Sequence, residues 1–85
     1  MASSADSYTE ARRRVARHVR RLRAARGLTQ EALAGMAGVA ARHLQRIEAG
    51  GMNPTLETLA RLADALGVDV GDLVMPVAWA DGVDE

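Results

Sequence analysis

The sequence predicts an all-α domain built as a compact bundle of five helices. Alanine, leucine and arginine dominate the 85 residues, a composition typical of helices that pack through aliphatic side chains. Aromatic residues are nearly absent, with one Tyr, one Trp and no Phe. Apolar residues recur at helical spacing between capping residues and glycines, and five such segments follow one another along the chain.

A capping signal and a glycine bound the first helix. Ser7-Tyr8-Thr9-Glu10 has the form of a capping box, so the helix is predicted to start near Tyr8 and to end at Arg26, before Gly27. The apolar stripe of this helix consists of Val15, Val19 and Leu22.

Two short helices follow, joined by a tight turn. Thr29 is expected to cap a helix from residue 30 to about residue 37. Gly38 then supplies the turn, because glycine tolerates a positive φ. The third helix is predicted over 41–49 and closes before Gly50.

Two further helices complete the bundle. Thr55 is expected to cap the fourth helix, residues 56–66. Its apolar residues at helical spacing are Leu56, Leu59, Leu62, Ala63 and Leu66. Asp69 is expected to cap a last short helix that runs through Val74.

The chain is predicted to divide into three parts. Residues 1–7 are expected to form a flexible arm, residues 8–75 the folded domain, and residues 76–85 an acidic tail that frays. The segment around Trp79 carries more apolar surface than one small core can readily cover, which predicts a symmetric dimer contact there. The alternative is that Trp79 folds back onto its own bundle.

Charge is segregated along the chain, although the formal net charge is zero. Residues 1–50 carry ten Arg and four acidic residues, a balance of +6, whereas residues 51–85 carry one Arg and seven acidic residues, a balance of −6. A basic half of this kind can attract a polyanion despite the neutral total.

Composition also excludes several classes of protein. With no Cys and two His, the chain is expected to hold no disulfide, metal or other cofactor. No apolar run approaches the ~20 residues of a membrane span, and no signal peptide is recognisable, so a cytoplasmic protein without a membrane partner is expected. No cluster of side chains has catalytic spacing, so we expect neither an enzyme nor a small-molecule ligand.

A series of short motifs lies between residues 15 and 74. They are Leu22-Arg23, Gly27-Leu28-Thr29-Gln30, Leu33-Ala34, Gly38-Val39, Ile47-Glu48, Gly50, Asn53-Pro54 and Ala65-Leu66-Gly67-Val68. In order and spacing they resemble the Xre or Cro/CI-like helix-turn-helix family of bacterial and phage repressors. The resemblance implies a five-helix bundle of the lambda-repressor-like DNA-binding type, whose third helix is the recognition helix.

The third helix has a basic face opposite its apolar side. Helical geometry sets Leu44 and Ile47 inward and places Arg42, Gln45 and Arg46 outward. In a recognition helix such a face enters the major groove, where Arg can bind guanine bidentately and Gln can read adenine. The predicted base contacts are Ala41, Arg42, Gln45 and Arg46.

Residues around this helix are candidates for contacts with the DNA backbone. The resemblance implies that Gln30, at the start of the second helix, binds a phosphate. The family usually carries basic or amide side chains where this chain has Ala49 and Gly51, so fewer contacts are expected from the loop after the third helix. The predicted set is Thr29, Gln30, His43, Gly50, Gly51 and Asn53, with Arg13 and Arg17 from the first helix. The alternatives are that Thr29 is only a cap, that His43 has no role, and that the arginines form a solvated face.

Arg23 and Glu48 each lie beside an apolar stripe. A charge in such a place needs a partner, and the resembling family pairs these two positions. The sequence therefore predicts a structural ion pair that ties the first helix to the third.

Two functions are compatible with these patterns. The first is a sequence-specific regulator of transcription, a repressor of bacterial or phage origin that binds double-stranded DNA as a homodimer and is associated with the nucleoid. The second is a protein-interaction adaptor that uses the same fold to dock a partner. The basic face formed by Arg42 and Arg46 favours the first.

Overall fold

Residues 4–77 are described by the computed structural model, which contains five helices and no strand in that range. The helices are α1 (Ser4–Ala25), α2 (Gln30–Ala37), α3 (Ala41–Glu48), α4 (Leu56–Leu66) and α5 (Gly71–Val74). The all-α, five-helix fold class predicted from the sequence is confirmed. Trp79, with its predicted dimer contact, lies outside the described residues.

The start of α1 differs from the sequence prediction. The helix begins at Ser4 and spans 22 residues, so the predicted capping box lies inside it and residues 4–7 of the expected arm are helical. Ser4-Ala5-Asp6 contains no Gly or Pro to stop a helix, so α1 continues upstream of Tyr8. Its length is about 33 Å.

Local capping signals set the ends of α2 and α4. The hydroxyls of Thr29 and Thr55 each accept a hydrogen bond, 3.0 Å long, from the backbone N–H three residues further on. Gly38 and Gly67 end the two helices in the left-handed conformation, with φ of 73° and 74°. Both helices therefore begin and end at the predicted residues.

The core lies between the helices, and every helix contributes at least one buried apolar residue. The cluster consists of Val15, Val19, Leu33, Ala34, Ala37, Leu44, Ile47, Leu59, Leu62, Ala63, Leu66 and Leu73. Leu56, placed in the apolar stripe of α4 by its spacing, is instead 71% exposed. As the first residue of its helix it leans toward the N-terminal end, past the surface that the other leucines cover.

A buried histidine joins α1 to the end of α5. The Nε2 atom of His18 lies 2.9 Å from the carbonyl oxygen of Met75, and its Nδ1 atom lies 3.0 Å from Nη2 of Arg21. Because a carbonyl can only accept, Nε2 donates to Met75 and Nδ1 accepts from Arg21. Arg14 adds a hydrogen bond of 3.4 Å from Nη1 to the carbonyl of Val74. These contacts hold α5 against α1.

Candidate nucleic-acid interface

The turn between α2 and α3 depends on a glycine. Gly38 has φ of +73°, and the N–H of Val39 closes the turn on the carbonyl of Ala34 at 3.0 Å. A Cβ atom added at Gly38 would lie 3.1 Å from Nη1 of Arg61. The backbone conformation therefore favours glycine at this corner, whereas the half-exposed Arg61 side chain could move aside for a Cβ atom.

The two faces of α3 differ in burial and charge. Leu44 and Ile47 are fully buried, whereas Arg42, Gln45 and Arg46 are exposed on the opposite side. Within residues 4–77 these three exposed side chains form no hydrogen bond or ion pair. Ala41, also predicted to contact bases, is half-buried against the core. The outward face of α3 thus presents two cations and an amide that are available to a ligand.

An ion pair fixes α3 to α1. Arg23 donates from Nε and Nη2 to the two carboxylate oxygens of Glu48, at 2.7 and 3.0 Å, and from Nη1 to the carbonyl of Leu28 at 2.8 Å. The Arg23 side chain is 20% exposed and that of Glu48 only 3%. The hydrogen bond to Glu48 raises the pKa of Arg23 above its ordinary value, although burial acts in the opposite direction.

Gln30 joins the same cluster. Its Nε2 atom donates to Oε1 of Glu48 at 2.9 Å, so the side-chain amide is directed toward the ion pair. At the start of a helix the first backbone N–H groups have no acceptor within the helix, and those of Gln30 and Glu31 are in this position. A phosphate near α2 would therefore meet the backbone N–H groups there.

The loop after α3 uses its N–H groups within the chain. Ala49, Gly50 and Gly51 each donate to a carbonyl of α3 at 3.0 Å. Gly50 has φ of +74°, and a Cβ atom added there would lie 3.9 Å from Cβ of Ala16, so α1 and the loop approach closely. Asn53 is exposed.

A groove of about 610 Å³ lies between α1 and the end of α3. Its lining residues are Glu10, Arg13, Ala16, Arg17, Arg20, Ala49 and Gly50. Arg20 donates from Nη1 to the carbonyl of Glu48 at 2.7 Å, which satisfies an end carbonyl of α3. By helical periodicity Arg20 lies on the solvent side of α1, where a solvated face or a phosphate contact is predicted, and the sequence gives no signal for this bond because the two residues are 28 positions apart.

Two other predicted contacts are Thr29, which precedes α2, and His43, which lies on α3. Thr29 is exposed and caps α2 through its hydroxyl, which is the alternative role considered for it. His43 is half-buried, and its Nε2 atom is buried without a hydrogen-bond partner in the described part of the chain.

Over residues 4–77 no helix is both long and apolar enough to cross a membrane, and no group of three potential ligands could hold a metal ion.

Comparisons with known proteins agree with this geometry. The family model described as Helix-turn-helix matches residues 19–73. An uncharacterized HTH-type transcriptional regulator of Sinorhizobium fredii, y4dJ, is 43% identical over 65 residues, which cover 76% of this chain and 84% of that protein. The restriction-modification controller protein C.AhdI from Aeromonas hydrophila superimposes with a TM-score of 0.70 at 32% identity, covering 73% of this chain and 94% of the controller. The hypothetical transcription factor NHTF from Neisseria gives a TM-score of 0.78 at 27% identity, covering 86% and 84%.

The fold and the site together define a helix-turn-helix protein. Helices α2 and α3 form the motif, and α3 is basic on its exposed side. The match over 19–73 and the identity to y4dJ show the family. The chain belongs to the Xre-like helix-turn-helix family of transcriptional regulators, and the resemblance seen in the sequence is confirmed.

Proposed function

We propose that the protein is a sequence-specific regulator, acting as a repressor, that inserts α3 into the major groove of double-stranded DNA. The observation that carries this proposal is the exposed face of α3, where Arg42, Gln45 and Arg46 have no partner within the described residues. Bidentate bonds from arginine to guanine would read sequence there. The function needs no catalytic group and no cofactor.

Contacts with the DNA backbone would position α3. The backbone N–H groups at the start of α2, near Thr29 and Gln30, face one wall of the major groove in this arrangement. The remaining proposed contacts are His43 and Asn53, with Arg13 and Arg17 on α1. Gly50 and Gly51 would approach the DNA backbone closely without donating to it, because their N–H groups already donate to carbonyls of α3.

A symmetric homodimer is part of the proposal. A recognition helix of eight residues reads few base pairs, and two copies about 34 Å apart would read two half-sites one turn of DNA apart. Met75, at the end of α5, is 49% exposed and adds apolar surface on which a second copy could pack. The proposed location is the cytoplasm, on the nucleoid of a bacterium or phage-infected cell.

A protein-interaction adaptor is the second candidate. Met36 and Leu56 are 58% and 71% exposed, which favours apolar contact with a partner protein. The exposed cations of α3 favour DNA, and the two experiments below separate the candidates.

The purified chain is expected to bind duplex DNA with an affinity that falls steeply as salt rises. Each arginine that neutralises a phosphate releases condensed counterions, so log K should fall with log salt by about 0.9 per contacted phosphate. Titration of a labelled duplex between about 50 and 200 mM salt measures this slope. A flat response, or no binding at micromolar protein in low salt, would exclude DNA as the partner.

Arg42→Ala and Arg46→Ala are expected to change which sequences are bound. A bidentate arginine–guanine pair contributes about 1–3 kcal/mol of discrimination, so the ratio of affinities for selected and random duplexes should fall roughly 5- to 150-fold. Arg26→Ala is the matched control, because Arg26 is an exposed arginine on α1 outside the proposed contacts. If both α3 variants keep the wild-type ratio, α3 is not the recognition helix.

A further inference from the structure

The last residue of α3, Glu48, is bonded to two other helices. Arg23 of α1 donates to both carboxylate oxygens, at 2.7 and 3.0 Å, and Gln30 of α2 donates from Nε2 to Oε1 at 2.9 Å. Arg20 of α1 holds the backbone carbonyl of the same residue at 2.7 Å. The Glu48 side chain is 3% exposed, so these bonds are charge-assisted and shielded from water.

The side-chain amide of Gln30 has two competing acceptors, Glu48 and a DNA phosphate. The bond to Glu48 lies in a part-buried site, where a hydrogen bond to a carboxylate is strong and an unmade bond is costly. A phosphate contact at the surface would replace a hydrogen bond to water, so its net gain would be small. The amide is therefore expected to stay on Glu48 when DNA binds.

The donors left for a phosphate at the start of α2 are in the backbone. The hydroxyl and the carbonyl of Thr29 accept from the N–H groups of Ala32 and Leu33, both at 3.0 Å. The N–H groups of Gln30 and Glu31 have no acceptor within α2. A phosphate would thus meet the backbone of the same residue whose side chain is bonded to the end of α3.

The bond between Gln30 and Glu48 also relates the start of α2 to the exposed face of α3. Glu48 follows Arg46 by two residues and Arg42 by six, which is about 3 and 9 Å along the helix axis. Movement of α2 against α3 would shift a phosphate contact relative to the bases by the same amount. A fixed bond at Glu48 therefore keeps the two kinds of contact at a constant distance.

We propose that Gln30 is a positioning residue, whose side chain binds Glu48 rather than a phosphate and holds the free N–H groups of α2 in register with the exposed face of α3. The inference rests on the proposed DNA-binding function and deepens it. The glutamine that the family resemblance assigns to a phosphate thus acts through a buried carboxylate, and α1 enters the same network through Arg23.

The test makes Gln30→Met in two backgrounds of the full chain, wild type and Arg23→Met with Glu48→Leu. Methionine keeps the length of the side chain and removes the amide. In the wild-type background, Gln30→Met should lower the affinity for a selected duplex about fivefold, which corresponds to one net hydrogen bond, and the affinity for a random duplex less. In the second background the same change should have no effect, because the acceptor of the amide is gone.

Gln45→Met is the matched control, because it makes the same replacement on the exposed face of α3. Its loss of affinity should persist in both backgrounds. A loss from Gln30→Met that also persists in both backgrounds, and that is equal on the selected and the random duplex, would overturn the proposal in favour of a direct phosphate contact.

Amide resonances of the wild-type chain give a second measurement that needs no variant. The selected duplex should shift the backbone amides of Gln30 and Glu31 and leave the side-chain amide of Gln30 nearly unchanged. One neutral methylphosphonate facing the start of α2 should reverse the backbone shifts. A side-chain shift that the methylphosphonate removes would overturn the proposal and leave DNA binding standing. Failure of the wild-type chain to bind any duplex would instead reject the proposed function, and this role of Gln30 with it.

Discussion

Replacing Arg23 with alanine is expected to lower the free energy of unfolding by about 3–5 kcal/mol, more than any other single arginine replacement in α1. The Glu48 carboxylate, whose side chain is 3% exposed in the wild-type chain, would be left with Gln30 as its remaining side-chain donor in the described structure. The carbonyl of Leu28 would also lose its donor at 2.8 Å. Urea unfolding followed by circular dichroism near pH 7 measures the loss.

Two companion variants define the origin of that loss. Arg13→Ala removes an exposed arginine from the same helix and should change stability by no more than about 0.5 kcal/mol. Arg23→Met together with Glu48→Leu removes both charges and should recover most of the stability, because no buried carboxylate is left unpaired. Equal unfolding midpoints for Arg23→Ala and Arg13→Ala would show that the ion pair contributes nothing.

The unfolding measurement is made near pH 7, where Arg23 is fully charged in both the folded and the unfolded chain. Its pKa is raised in the folded chain, so its contribution is fully present below the pKa of the unfolded chain and is lost only as pH rises through the folded pKa. Both values lie far above neutral pH, because even an unperturbed arginine stays protonated in proteins. Small differences in buffer pH near 7 therefore do not affect the comparison.

The helix ends that were predicted correctly depend on local signals. Thr29 and Thr55 cap helices with their own hydroxyls, and Gly38 and Gly67 stop the same helices through their own φ angles. Each signal acts within about four residues, so it is visible in the sequence. The predicted start of α1, near Tyr8, was wrong by four residues, because a sequence with the form of a capping box can also lie inside a helix that continues upstream.

The roles of the α1 arginines could not be separated from the sequence. Helical periodicity puts six of them alike on the solvent side: Arg12, Arg13, Arg14, Arg17, Arg20 and Arg21. In the structure, Arg14 and Arg20 donate to carbonyls 60 and 28 residues away, and Arg21 donates to His18. Helical periodicity gives the side of a helix but not the atoms that tertiary packing places opposite it. His18 lay in no predicted site, although the structure buries it with both ring nitrogens bonded.

The ion pair illustrates the limit of a family resemblance. The resemblance paired Arg23 with Glu48, but it assigned Gln30 to a phosphate and gave no indication that its amide donates to Glu48. One carboxylate thus connects α1, the start of α2 and the end of α3. Positions that a resemblance assigns to DNA can also stabilise the elements that contact DNA.

Replacing Leu44 with alanine is expected to lower the free energy of unfolding by about 2–5 kcal/mol. Helix α3 has eight residues, and Leu44 and Ile47 are its fully buried apolar side chains, at 0% and 1% exposure. Truncation removes half of that apolar anchor and leaves a cavity that the surrounding helices fill only in part. Urea unfolding, read by circular dichroism, gives the loss.

Leu56→Ala is the matched control, because it deletes the same atoms from a side chain that is 71% exposed. Its expected effect is within about 0.5 kcal/mol. Comparable losses in the two variants would contradict the burial of Leu44 under α3. DNA affinity distinguishes a role in anchoring α3 from a role in contacting DNA. Because Leu44 points away from the exposed face of α3, the folded fraction of Leu44→Ala should keep the wild-type ratio of affinities for selected and random duplexes. A changed ratio in that folded fraction would mean that Leu44 sets the orientation of α3 in the major groove as well as its stability.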